Sequence, residues 1–157
     1  MRYLIKFLGL YVILFIQILF TNKIYSYGVF PNLVIIYLIN MLFFCDRNNV
    51  LHMAFWGGLS LDVFSVKYFG INTLLFVSLM YYGVKTRERF FIDNTLSEAI
   101  LGIIIVLLYY LGYTIALSIP EIYKFFSNFL FIGIPAFLYT SFILIVINLM
   151  KYYFSHE

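Results

Sequence analysis

Long apolar runs separated by short polar breaks fill this chain, and their length predicts helices. Six segments stand out, at about residues 4–20, 29–45, 49–65, 70–84, 96–119 and 130–150. A run of 15 or more apolar side chains exceeds what a strand uses and suits four or more helical turns. The breaks carry helix punctuation. Pro31 fits the first turn of the second segment, where its missing N–H costs nothing. Thr95 and Glu98 have the spacing of a capping box at the start of the fifth, and Pro120 ends it. Pro135 should bend the sixth segment or mark its true start. Glu121, Lys124 and Asn128 recur at i, i+3 and i+7, a polar face that lets 121–129 lie along a membrane interface.

Segments two to four are short for a bilayer. They rise only ~22–26 Å, against a hydrocarbon core of ~30 Å. They are expected to draw on flanking aromatic residues or to sit in a bundle that thins the bilayer. The alternative is a four-span chain in which segments three and four form a re-entrant hairpin.

Composition makes the solvent explicit. The 157 residues are 64% hydrophobic and 11% charged, with a mean hydropathy of +1.00, whereas soluble domains are about 25% charged. An all-α integral membrane protein follows, with six transmembrane helices in a single transmembrane domain over 1–157. Arg2 and Lys6 ahead of an apolar run resemble a secretory leader, but residues 21–25 offer no small-residue cleavage pattern. The segment is therefore expected to stay as the first helix. The formal charge of +3 is scattered, so no basic patch for nucleic acid exists. Instead it reports orientation. With both termini inside, Arg2, Lys6, Arg47, Lys85, Arg87, Arg89 and Lys151 are cytoplasmic, and Lys23, Lys67 and Lys124 are outside. That is an N-in, C-in topology by the positive-inside rule. The hydrophilic stretch 85–94 anchors it, and Lys85, Arg87 and Arg89 form a candidate cytoplasmic docking loop.

Catalytic constellations are not apparent. His52 and His156 have no ligand neighbours at helical spacing, and Cys45 is alone. An aspartyl protease needs two carboxylates at one site; Asp46 and Asp93 fall in loops, leaving Asp62 single. No serine lies in a nucleophile elbow, and no glycine loop is built for phosphate. The expectation is a protein without catalysis, metal or cofactor.

What remains is the stretch 57–70. On a helix, Leu51, Ala54, Phe55, Gly58, Asp62 and Ser65 share one face, with Trp56, Leu59 and Val63 opposite, toward lipid. Ala54 and Gly58 form a small-xxx-small pair that admits another backbone. A carboxylate at mid-bilayer costs about 2.5–3.5 kcal/mol, so Asp62 should face a helix. It can lie near the interface, accept N–H groups at the helix start near Gly70, or pair with Lys67. Asn72 and Thr73 are placed to cap or cross-link there, and Gln17 and Asn40 to bond between helices. The candidate structural or partner-binding residues are Ala54, Gly58, Asp62, Gly70 and Pro31.

The spacing G-x3-D-x7-G of Gly58, Asp62 and Gly70 resembles the signature of the MreD family of bacterial rod-shape-determining proteins. Pro31 opening the second segment and the basic run Lys85 to Arg89 after the fourth add to the likeness. Length and segment order agree along the whole chain, with recognisable motif confined to 31–89. The resemblance implies a non-enzymatic, multi-pass scaffold of the bacterial inner membrane. It would serve the machinery of lateral peptidoglycan synthesis and control cell shape by binding an MreC-like partner. An MreB-like filament and the elongation glycosyltransferase–transpeptidase pair would work beside it. The resemblance also implies a fold similar to the S components of energy-coupling-factor transporters. Hence the alternative, a vitamin-binding subunit with Asp62, Tyr68, Tyr81 and Tyr109 lining a pocket. Against it, the chain has only four alanines, and no pair at i, i+4 on the first helix. Ion-coupled transport would rest on Asp62 alone.

Overall fold

The computed structural model describes residues 2–24, 31–64, 69–90 and 95–154. All of its regular structure is helical: α1 (Arg2–Ile24), α2 (Leu33–Phe44), α3 (Arg47–Phe64), α4 (Ile71–Phe90) and α5 (Thr95–Ser118) come first. A 3-10 turn (Ile122–Lys124), the single turn α6 (Phe125–Asn128) and a π turn (Phe129–Gly133) then lead into α7 (Ile134–Phe154).

The shortest long element is the central one. α2 has only 12 residues, and it touches α1, α3, α4, α5 and α7. A helix that is apolar all round belongs in an interior, and Val34, Ile35, Leu38 and Leu42 are fully buried. Both ends of α2 are tied by side chains from other helices. At its C-terminus Lys6 of α1 donates to the Phe44 carbonyl at 3.1 Å and to Cys45 Sγ at 3.3 Å. Arg87 of α4 donates to the carbonyls of Leu42 and Cys45, the latter at 3.2 Å. Lys151 of α7 lies over the Phe44 ring, 4.7 Å from its centroid. Cations at the carbonyl end of a helix are favoured by its dipole.

Beside α2 stands the α3–α4 hairpin, packed through two adjacent glycines. A Cβ on Gly57 would meet Val34 Cγ1 at 3.2 Å and Leu10 Cδ1 at 3.3 Å, so this face receives α1 and α2. A Cβ on Gly58 would fall on the backbone of α4, 2.7 Å from the Thr73 nitrogen. The buried row of α3 is Val50, Met53, Ala54, Gly57, Gly58 and Asp62. It corrects the expected face: Phe55 is exposed and Leu51 only partly covered, because two glycines widen the stripe toward two different neighbours. Ser65 and Lys67 lie outside the described residues.

The structure also corrects the six membrane-spanning helices. Two helical stretches among the described residues are long and apolar enough to cross a bilayer: Thr95–Ser118, 24 residues, and Ile122–Tyr153, 32 residues. The physical reasons are length and charge. α2 rises only ~18 Å, well short of the hydrocarbon thickness. α3 begins at Arg47 and carries Asp62, and α4 carries Lys85, Arg87, Glu88 and Arg89 near its end. The likeness to the S-component fold rested on six spans and falls with that count, and the loop-by-loop split of basic residues behind the N-in, C-in assignment goes with it.

Three boundaries moved as well. Pro31 precedes α2 instead of lying in its first turn, because Asn32 takes the N-cap. Helix α4 continues past residue 84 to Phe90, so Lys85, Arg87 and Arg89 are helical and not in a loop. Residues 122–133 run straight on into α7, and Pro135 lies just after the π turn Phe129–Gly133, a local change of winding at the place where proline cannot supply an intrahelical N–H.

The packing predicts different costs for two glycine substitutions. Gly58→Ala forces a methyl onto rigid backbone and should cost about 1–3 kcal/mol. Gly112→Ala meets only the end of the Leu75 side chain, which can rotate away, and should be nearly neutral given alanine's helix propensity. Thermal unfolding in detergent, followed by Trp56 fluorescence, should show a clearly lowered midpoint for the first variant only.

Candidate functional site

Asp62 is fully buried, and its carboxylate is saturated by donors from the start of α4. Oδ1 accepts from the Asn72 backbone N–H at 2.9 Å and from Asn72 Nδ2 at 3.0 Å. Oδ2 accepts from the Thr73 backbone N–H at 2.9 Å and from Thr73 Oγ1 at 2.5 Å. The first N–H groups of any helix need acceptors from outside the helix, and usually the N-cap side chain supplies one. Here the cap position is Gly70, which has no side chain and a φ of +96°. That left-handed conformation is open to glycine. Asp62 of α3 therefore caps α4 from another helix, and its negative charge sits where the helix dipole favours it.

The hydrogen bonding continues through the bundle. Asn72 Oδ1 accepts from Tyr109 OH of α5 at 2.7 Å, and Tyr109 OH accepts from Asn32 Nδ2 at 2.9 Å. Asn32 Oδ1 caps α2, accepting from the backbone of Val34 at 3.1 Å and Ile35 at 3.2 Å. The Asn32 backbone N–H donates to Thr140 Oγ1 of α7 at 3.2 Å. Thr140 gives its own proton to the Ala136 carbonyl, so Tyr110 OH, 2.8 Å away, must be the donor to Thr140. Gln17 of α1 completes the set: Nε2 donates to the Pro31 carbonyl at 3.1 Å and Oε1 accepts from Leu33 N–H at 2.8 Å. One buried network thus joins α1, α2, α3, α4, α5 and α7.

Its direction is fixed from both ends. Backbone donors hold Asn32 Oδ1 at one end, and the carboxylate holds Asn72 Nδ2 at the other. Every bond from Asn32 through Tyr109 and Asn72 therefore donates toward Asp62. Such aligned chains polarise one another in a poorly solvated interior, and each member would be costly to leave unpaired.

The sequence candidates fall into three groups. Ala54, Gly58 and Asp62 are brought together, buried against α4, and Gly70 gives the turn that presents its N–H groups. Pro31 contributes its carbonyl to Gln17. Of the basic candidates, Arg87 is used on the end of α2, while Lys85 and Arg89 are exposed. Asn40 bonds its own helix at Ile36 rather than a neighbour. Among the described residues, those expected to line a vitamin pocket do not converge. Tyr109 is inside the network and Tyr81 on the outer surface, while Tyr68 and His156 lie outside the described residues. No group of three or more potential metal ligands occurs among the described residues.

Sequence reasoning passed over Asn32, Thr140 and Tyr110. Asn32 had a readable signal, an amide just before an apolar helical run. Thr140 and Tyr110 had none, since an isolated hydroxyl in an apolar segment does not announce its partner.

Compared with known proteins, the chain matches the family model described as rod shape-determining protein MreD over residues 1–156. Neither a curated protein nor a solved structure matches it.

Two substitutions probe the network. Asp62→Asn turns an acceptor into a donor facing donors and should cost about 3 kcal/mol or more. Tyr109→Phe keeps the ring but strands Asn32 Nδ2 and Asn72 Oδ1, at about 1–3 kcal/mol. Unfolding midpoints of the two single variants and the double variant should be non-additive, as expected for members of one network.

Proposed function

The chain belongs to the MreD family of rod shape-determining proteins, and on that premise we propose how its buried network serves the family's role. It is a non-enzymatic membrane scaffold of the cell-elongation machinery that carries out lateral peptidoglycan synthesis, in the bacterial inner membrane. In our reading its immediate partner is an MreC-like membrane protein. The MreB-like filament and the glycosyltransferase–transpeptidase pair join the same assembly, and residues 1–157 act as one transmembrane unit.

The observation that carries this reading is the saturation of Asp62. A carboxylate with four donors from its own chain, fully buried, is suited to holding a surface in shape, and ill suited to taking up an ion or substrate. Ala54, Gly58, Asp62, Gly70 and Pro31 then act on partner binding through the rigidity of the α2–α3–α4 unit. Direct contact falls to exposed groups. Of the basic candidates, Lys85 and Arg89 are available to meet an acidic segment of a partner, with Arg87 committed to α2.

The test is co-purification with the MreC-like protein from detergent extracts, together with cell shape after depletion and complementation. The wild-type chain should carry the partner and restore rods. Lys85→Glu with Arg89→Glu should weaken co-purification several-fold while leaving the unfolding midpoint unchanged. Asp62→Asn should lower the folded amount and the rescue of shape in parallel. No complex with wild type, and rods that persist on depletion, would refute the scaffold reading. Normal amounts of Asp62→Asn protein with lost shape would instead make Asp62 a direct contact.

A further inference from the structure

On the exposed side of the α3–α4 hairpin runs an open groove of about 690 Å³, within the size range of small-molecule sites. Leu51, Phe55 and Leu59 form one wall, and Leu74, Val77 and Tyr81 the other. The polar atoms along it are largely spent: Ser78 Oγ donates to its own helix at the Leu74 carbonyl, 2.7 Å away. The groove therefore offers an apolar lining and little to recognise a polar ligand along its length.

Its charge is at one end. On α3, Arg47, Leu51, Phe55 and Leu59 recur at i, i+4, so the row lining the groove starts at a cation. On α4, Lys85 lies one turn beyond Tyr81. Because the two helices form a hairpin, both cations reach the same end, and the Arg47 guanidinium sits over the Tyr81 ring, 4.9 Å from its centroid. Both side chains are exposed, and no described carboxylate pairs with either.

A transmembrane helix is a poor occupant. Close helix packing needs small residues on the receiving face, and those of α3, namely Ala54, Gly57 and Gly58, are turned inward. Gly70, Thr73 and Ser78 also line the groove, but Leu51, Phe55, Leu59, Leu74 and Tyr81 stand along both walls and keep a second backbone at a distance. An apolar trough ending in two cations with no described carboxylate partner matches one acyl chain with an anionic headgroup. We propose that this groove binds an anionic phospholipid, its acyl chain along Phe55, Leu59, Leu74 and Val77 and its phosphate between Arg47 and Lys85.

Native mass spectrometry of the purified full chain tests it, with phosphatidylglycerol and phosphatidylcholine of identical acyl chains added in equal amounts. Phosphatidylglycerol adducts should dominate. Arg47→Gln with Lys85→Gln should reduce phosphatidylglycerol affinity about 25-fold, taking about a fivefold loss for each interfacial cation, down to the phosphatidylcholine level. Leu74→Trp, or Ser78→Leu should that variant fold poorly, should reduce retention of both lipids by filling the trough. The proposal is overturned by equal retention of the two lipids in the wild type, or by a preference that survives loss of both cations. It is likewise overturned by retention that survives groove filling, or by cysteine cross-links in membranes placing a partner helix against Leu74 and Val77.

Discussion

Everything in this bundle depends on how a carboxylate in an apolar interior finds its donors. Asp62 solves two deficits at once: its own need for hydrogen bonds and the need of α4 for acceptors at its first turn. Neither group is satisfied alone, because Gly70 brings no side chain to the cap position. The two deficits cancel only when α3 and α4 lie close, and Gly58 sets that distance by letting the Thr73 backbone approach. Capping, close packing and charge burial are thus one event in this hairpin.

The same logic extends to the centre of the molecule. α2 is too short to cross a bilayer and too apolar to face water, so it is enclosed by the others. Enclosure leaves its ends as the exposed difficulty, since the first N–H and last C=O groups have no partners within the helix. Asn32 and Gln17 meet the donors at one end, and Lys6 and Arg87 meet the carbonyls at the other. Through Asn32 and Tyr109 the cap of α2 connects to the cap of α4. Two helix starts are therefore held by one hydrogen-bonded chain.

Inward use of the polar and small residues determines what is left outside. Long apolar side chains cover the outer surface of α1, α5 and α7, as they must for a lipid environment, and among the described cations Lys6 and Arg87 are taken by carbonyls and Lys124 and Lys151 lie over rings. The groove between α3 and α4 differs by ending in Arg47 and Lys85. The two stretches long enough to span, Thr95–Ser118 and Ile122–Tyr153, are consecutive and packed together, while the network at their flank joins them to the shorter helices.

The amino-acid sequence by itself determined the helical class, the membrane as solvent, and the singularity of Asp62, because hydropathy and run length are local properties. It also carried the family, through Gly58, Asp62 and Gly70 at fixed spacing. It did not determine how many helices cross, since six apolar runs of differing length and end charge read alike until their limits are known. Nor could it pair Tyr109 with Asn32 and Asn72, or Tyr110 with Thr140, for those residues are 30 to 77 positions apart and only folding brings them within bonding distance. The stretch 57–70 posed the question of what a lone carboxylate does in lipid. In the tertiary structure four donors from α4 occupy that carboxylate, a pairing that only the approach of α3 to α4 creates.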